Sequence, residues 1–146
     1  MDVLVATRAH LLGQAAIAAL VVTRIFTPRI PEKVTYPAVL LTLVSDVDGH
    51  HLRGPNLVPT DRVQVDVWAT TRDQVTLLGR LVRQRLNGFH GTWTGTGSPA
   101  PTITVQAIRY EVGSERFEEE IGGGLCRQSA DYFLTFRDSE EQMLTT

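Results

Sequence analysis

Two stretches of the chain space their apolar residues as helices do, and several others alternate them as strands do. Over residues 3–20, turning about 100° per residue puts Val5, Ala9, Leu12, Ala16 and Leu20 on one stripe, with Thr7, His10 and Gln14 opposite. This predicts an amphipathic helix, with Asp2 as its N-cap. Pro28, Pro31 and Pro37 then impose a loop after a short extended piece at 24–26. Residues 38–47, rich in Val and Leu, predict a largely buried strand, and 48–60, holding Gly49, Gly54, Pro55 and Pro59, a long exposed loop.

Residues 62–69 alternate: Val63, Val65 and Val67 point one way, Arg62, Gln64, Asp66 and Trp68 the other. Thr71 followed three residues later by Gln74 has the spacing of a capping box, and Val75, Leu78, Val82 and Leu86 mark the core stripe of a second helix. Asn87-Gly88 ends it, both residues tolerating the left-handed conformation. Residues 91–101 around Trp93 read as a loop, 102–112 as a strand, and 113–124 as a flexible hairpin loop carrying Glu118, Glu119 and Glu120. Residues 127–137 alternate as the last strand.

The simplest assembly is a two-layer α+β domain over 1–138, a mostly antiparallel sheet with both amphipathic helices on one face, followed by a flexible tail at 139–146. The other face of the sheet then has no cover. Arg62, Gln64, Asp66 and Trp68 would form a polar surface there with one large aromatic.

Composition narrows the function classes. At 146 residues the chain has the size of one domain, and 42% apolar with 21% charged residues is the composition of a folding chain. The longest apolar run, residues 15–22, is too short to span a bilayer, so no membrane is expected as a partner. A signal peptide is disfavoured by Asp2, by the lack of a basic cluster and by Gly13-Gln14 within the apolar stretch. A formal charge of −2 argues against bulk nucleic-acid binding. The single Cys126 offers neither a disulfide nor a cysteine metal site, which suits assembly in a reducing cytoplasm.

Chemistry is sparse. His10, His50, His51 and His90 follow no metal-ligand spacing, and Asp46, Asp48 and His50 at a strand exit supply too few ligands for a Ca²⁺ or Mg²⁺ site. Gly122-Gly123-Gly124 lacks the Lys and Ser/Thr of a phosphate loop, and neither a nucleophile elbow nor a dinucleotide fingerprint is present. No enzyme activity, metal or cofactor is therefore expected. Arg80, Arg83 and Arg85 read as a solvated face near a helix C-terminus. Leu77 is more informative. It lies on the wheel far from Leu86, beside Arg80 and Gln84, and its exposure together with Trp68 hints at a subunit interface.

The segments RIFTPRIPEKVTYPAVLLTLV (24–44), DRVQVDVWATTRDQVTLLGRLVRQRLNG (61–88), RYEVGSERFEEE (109–120) and CRQSADYFLTF (126–136), behind a leading amphipathic helix, resemble the tail-terminator, or tail-completion, family of long-tailed bacteriophages and related particles. The resemblance implies a structural protein of the virion: a ring, typically a hexamer, at the head-proximal end of the tail tube. There it would stop addition of tube protein and dock to the head-tail connector or neck protein, with DNA only passing through the lumen. Under this resemblance Arg62, Gln64, Asp66, Trp68, Leu77 and Arg80 are expected at subunit contacts. The segments 48–60 and 113–124 are expected against tube or connector, with Glu118, Glu119 and Glu120 facing the lumen or a partner. A head-completion or neck adaptor ring is the alternative. A small cytoplasmic enzyme or a nucleic-acid-binding module is a more distant one.

Overall fold

Helix α1 (Val3–Leu12) and helix α2 (Ala15–Val21) occupy the stretch where the apolar spacing predicts one helix, and they meet at 95°. Gly13 and Gln14 cause the break: Gln14 takes extended angles, φ −91° and ψ 114°, and heads α2 as its N-cap residue. In a computed structural model, residues 3–27, 29–47, 50–51, 54–55, 60–95, 100–121 and 124–138 are described. Asp2 and the tail at 139–146 lie outside them. The buried face of α1 is also not the expected one. Val3, Ala6, Thr7 and Leu11 are buried, whereas Val5 is 53% exposed. Apolar residues surround α1, so the wheel has no sharp boundary, and Thr7 enters the core by returning its hydroxyl to the Val3 carbonyl at 2.7 Å.

The expected two-layer fold with two helices is therefore corrected to an α+β fold with a curled, mixed sheet and, among the described residues, three helices. The main sheet runs β1 (Ile25–Phe26), β2 (Ala38–Val47), β5 (Thr60–Ala69), β9 (Leu125–Asp138), β7 (Thr102–Tyr110) and β6 (Gly91–Thr94). β1 pairs with β2 in parallel, and the other pairings are antiparallel. β8 (Arg116–Ile121) joins β9 on the edge that β7 also uses, so the two share one long partner: β7 covers its C-terminal half and β8 its N-terminal half. β3 (His50–His51) and β4 (Gly54–Pro55) form a separate small ladder. Residues 91–94 and 116–121 are thus strands where the sequence reads as loop.

The curl follows from where α1 sits. It contacts β1 at one edge of the sheet and β6 at the other. In a flat sheet five strand spacings, roughly 24 Å, would separate those edges. A ten-residue helix, about 15 Å long and about 10–12 Å across, falls short of that span, so the sheet wraps around the helices as a half-barrel. Bulges between Leu43 and Ser45 in β2, and between Val105 and Ala107 in β7, supply local bending and twist.

Helix α3 (Arg72–Leu86) crosses the concave side against β5, β9 and β7, burying Leu78, Val82 and Leu86 in one cluster with Val63, Val65, Val67 and Tyr132, and Val75 in another with Ala69 and Cys126. Thr71 caps it, accepting the Gln74 N–H on its hydroxyl at 3.2 Å. Thr71→Ala should cost about 1 kcal/mol. A urea midpoint lowered at unchanged m-value is the expected reading, and an unchanged midpoint would contradict the cap. At the other end Asn87 has φ −63° and only Gly88, at φ 82°, turns left-handed. The Asn87 side chain instead accepts the Tyr110 N–H at 3.0 Å, and Gly88 donates to the Ile108 carbonyl at 2.8 Å, tying the helix terminus to β7.

Gly79 lets α3 lie close to β9, because a Cβ there would stand 2.7 Å from Oε1 of Gln128. Cys126 packs with Ala69, Val75 and Phe117 in a small second cluster. Among the described residues no single helix is long and apolar enough to cross a membrane.

Candidate assembly surface

β5 positions the polar quartet as its alternation requires. Val63, Val65 and Val67 go into the core, and Arg62, Gln64, Asp66 and Trp68 emerge on the convex face, away from α3. Antiparallel register sets β9 beside them, with Trp68 opposite Arg127, Asp66 opposite Ser129, Gln64 opposite Asp131 and Arg62 opposite Phe133.

The surface so formed is an ordered network. Arg62 Nε donates to Oδ2 of Asp131 at 2.9 Å, and its guanidinium lies 5.5 Å from the centre of the Phe133 ring, which also carries Arg109 at 4.7 Å. Gln64 donates to both oxygens of Asp66 at 3.0 Å, and Ser129 donates its hydroxyl to the same carboxylate. Asp66 is only 3% exposed, so it sits in the floor of the face where the sequence places it on the surface. Around it Gln64, Ser114, Arg116, Glu118, Arg127, Ser129 and Asp131 line a polar cavity of about 70 Å³.

At one end of this network the indole of Trp68 lies under the Arg127 guanidinium, 5.2 Å from ring centre to cation, and Arg127 in turn pairs with Glu118 of β8. Trp68 is half-buried, and its indole N–H is buried without a hydrogen-bond partner. Glu118 is 46% exposed at its side chain, in a strand and not a loop. Glu119 and Glu120 share that strand, and their side chains lie outside the described residues.

Leu77 and Arg80 belong to a different surface. They face solvent from α3 on the opposite side of the molecule, Leu77 at 42% exposure. The structure therefore brings Arg62, Gln64, Asp66 and Trp68 together with Glu118 and sets Leu77 and Arg80 apart from them. Sequence reasoning missed the β9 members of the convex network, Arg127, Ser129 and Asp131, and named Glu118 only as a lumen or partner residue of a loop. The alternation of Arg127, Ser129 and Asp131 in the last strand is the signal that could have found them.

His10 also departs from expectation. It packs on Phe89 and Trp93 with ring centres 4.4 and 5.1 Å away, and its Nε2 lies 3.2 Å from the Arg85 carbonyl. Burial lowers its pKa, with the Arg85 charge adding to that and the carbonyl bond opposing it. The folded state therefore binds its proton less readily than the unfolded chain, whose histidine titrates near about 6.5. The contribution is complete above that value and is lost as pH falls through it toward the depressed folded value. Melting curves between about pH 7 and 5 should show a decline that His10→Phe reduces; equal slopes in both proteins would contradict this.

Among the described residues no group of three or more His, Cys, Asp or Glu side chains is placed to hold a metal ion. The contribution of Asp46, Asp48 and His50 lies outside the described side chains.

No curated protein matches the chain. Among solved structures 20 chains match, including a chain of the virion of native gene transfer agent (GTA) particle. That chain superposes with a TM-score of 0.70 at 14% identity, over 92% of this chain and 93% of the other, so the two share a fold. The family model for tail completion protein gp17 matches residues 5–110, which run from α1 to the end of β7 and hold α3 and the whole of β5. Proteins of that family are structural components of the viral tail and not enzymes. With well over half of its length matched, the chain belongs to the tail completion protein gp17 family.

Proposed function

We propose that this tail-completion protein terminates the tail as a ring at its head-proximal end. The ring, a hexamer by resemblance to the family, stops addition of tube protein and presents the surface on which the head-tail connector or neck protein docks. The genome is the only DNA it meets, in the lumen, and the ring assembles in the host cytoplasm. One observation carries the reading: a single subunit holds two dissimilar exposed surfaces on opposite sides, the convex network around Trp68 and the solvent face of α3 around Leu77. Unlike surfaces that meet head to tail generate a ring when the rotation closes. The residues offered for those contacts are Arg62, Gln64, Asp66 and Trp68 on one side, and Leu77 and Arg80 on the other.

The test adds full-length protein to polymerising tail tubes and follows tube lengths and ends by negative-stain microscopy. A cap at one end only, with elongation arrested there, is the expected result. Tubes that keep growing with bare ends, while the protein is recovered on filled heads, would overturn termination in favour of a head-completion ring.

A further inference from the structure

We propose that neighbouring copies join by seating Leu77 and Arg80 of one subunit on Trp68 and Glu118 of the next. This rests on the ring reading and specifies its contact. Leu77 and Arg80 are three residues apart on α3, so they leave the helix on one side with Cβ atoms about 5–6 Å apart. Arg80 is exposed and has no ion pair among the described residues.

On the receiving face Trp68, Arg127 and Glu118 are cross-strand neighbours on β5, β9 and β8. Trp68 and Glu118 therefore stand two strand spacings apart, about 10 Å. A leucine over the indole leaves the longer arginine stem to bridge the remaining distance to the carboxylate.

Charge selects the same pairing. Arg83 lies over the Tyr110 ring and Arg72 over the Phe117 ring of their own subunit, whereas Arg80 sits beside Leu77 with no ion pair among the described residues. On the receiving face the Glu118 side chain stays 46% exposed although Arg127 pairs with it, and Arg116 lines the same polar cavity. Arg80 from the neighbour would place Glu118 between two guanidinium groups, its own Arg127 on one side and Arg80 on the other. Leu77 meanwhile covers an aromatic ring that a lone subunit leaves half-buried. A second copy supplies both halves, because each subunit carries Leu77 and Arg80 on one side and Trp68 and Glu118 on the other. These lie on opposite sides, so Arg80 cannot reach Glu118 within one subunit.

Charge exchange tests this. Full-length wild type, Arg80→Glu, Glu118→Arg and the double variant are compared by sedimentation velocity and by capping of tail tubes, with circular dichroism to check folding. Each single reversal should weaken assembly at least about tenfold, and the double variant should recover most of it. Wild-type assembly should also weaken as salt rises from about 0.1 M to 1 M, where the screening length falls from roughly 10 to 3 Å. Single variants that assemble normally, or a double variant that stays as weak as either, would overturn the contact while leaving the ring intact. If Glu118→Arg rings assemble normally but retain DNA, Glu118 lines the lumen and the contact is also overturned. Wild type that forms no oligomer, free or on tubes, removes the ring reading itself.

Discussion

Leu78→Ala should lower the free energy of unfolding by about 2–5 kcal/mol, a large part of the stability of a domain this size. Leu78 is 0% exposed at the middle of α3 and belongs to the cluster that joins this helix to Val63, Val65 and Val67 of β5. Its loss removes apolar burial and leaves a cavity beneath a helix that cannot settle into it, because α3 is held at both ends. Thr71 caps one end, and the bonds of Asn87 and Gly88 to β7 hold the other. Urea or thermal unfolding reads the effect directly. A change under about 1 kcal/mol would mean that the helix relaxes onto the sheet more freely than these anchors allow.

Leu77→Glu, one residue earlier, should do the opposite. Leu77 is 42% exposed, so the substitution should leave unfolding within about 0.5 kcal/mol of wild type. In the ring, however, it places a carboxylate against the Trp68 indole and close to Glu118, where burial of a charge and like-charge repulsion both oppose docking. Central apolar anchors of interfaces are worth about 2 kcal/mol or more, so subunit association should fall by at least about 30-fold, and capping of tubes with it. The two variants separate fold from assembly along one helix: Leu78→Ala loses stability, Leu77→Glu loses oligomer. A folded Leu77→Glu protein that caps tubes as well as wild type would remove Leu77 from the interface.

The same pair of leucines shows why part of the molecule can be read from its sequence. Val75, Leu78, Val82 and Leu86 recur at helical spacing with polar residues between them, and the alternation of β5 is equally regular, so helix, strand and the facing of both were legible. In α1 the apolar residues lie all round, and the choice of face passed to tertiary packing, which buried Thr7 and exposed Val5. The break at Gly13-Gln14 was visible as an interruption, but its 95° turn is set by what each half packs on.

β8 was hidden for a different reason. Three consecutive glutamates have low strand propensity, and the segment is extended because β9 is long enough to pair with it after β7 ends. β6 is four residues among glycines and prolines, given its place by the edge of β7. For the candidate surface, the quartet on β5 was legible because period two fixes a face. Its partners on β9 and β8 depend on register, which joins residues more than 50 positions apart, as Trp68 with Arg127. The burial of Asp66 depends on Ser129 in the same way. His10 falls opposite the apolar stripe on the helical wheel, and the aromatic rings that enclose it, Phe89 and Trp93, lie beyond α3 in the sequence.

The central claim is that subunits meet head to tail in a ring on one end of the tail tube. High-resolution electron microscopy of capped tube ends tests it most directly, because it shows both where the protein sits and which surfaces touch. The account predicts a closed ring at the head-proximal end in which α3 of each subunit lies on the convex sheet face of the next. Subunits related by two-fold axes, or a ring in which both surfaces stay open to solvent, would contradict it.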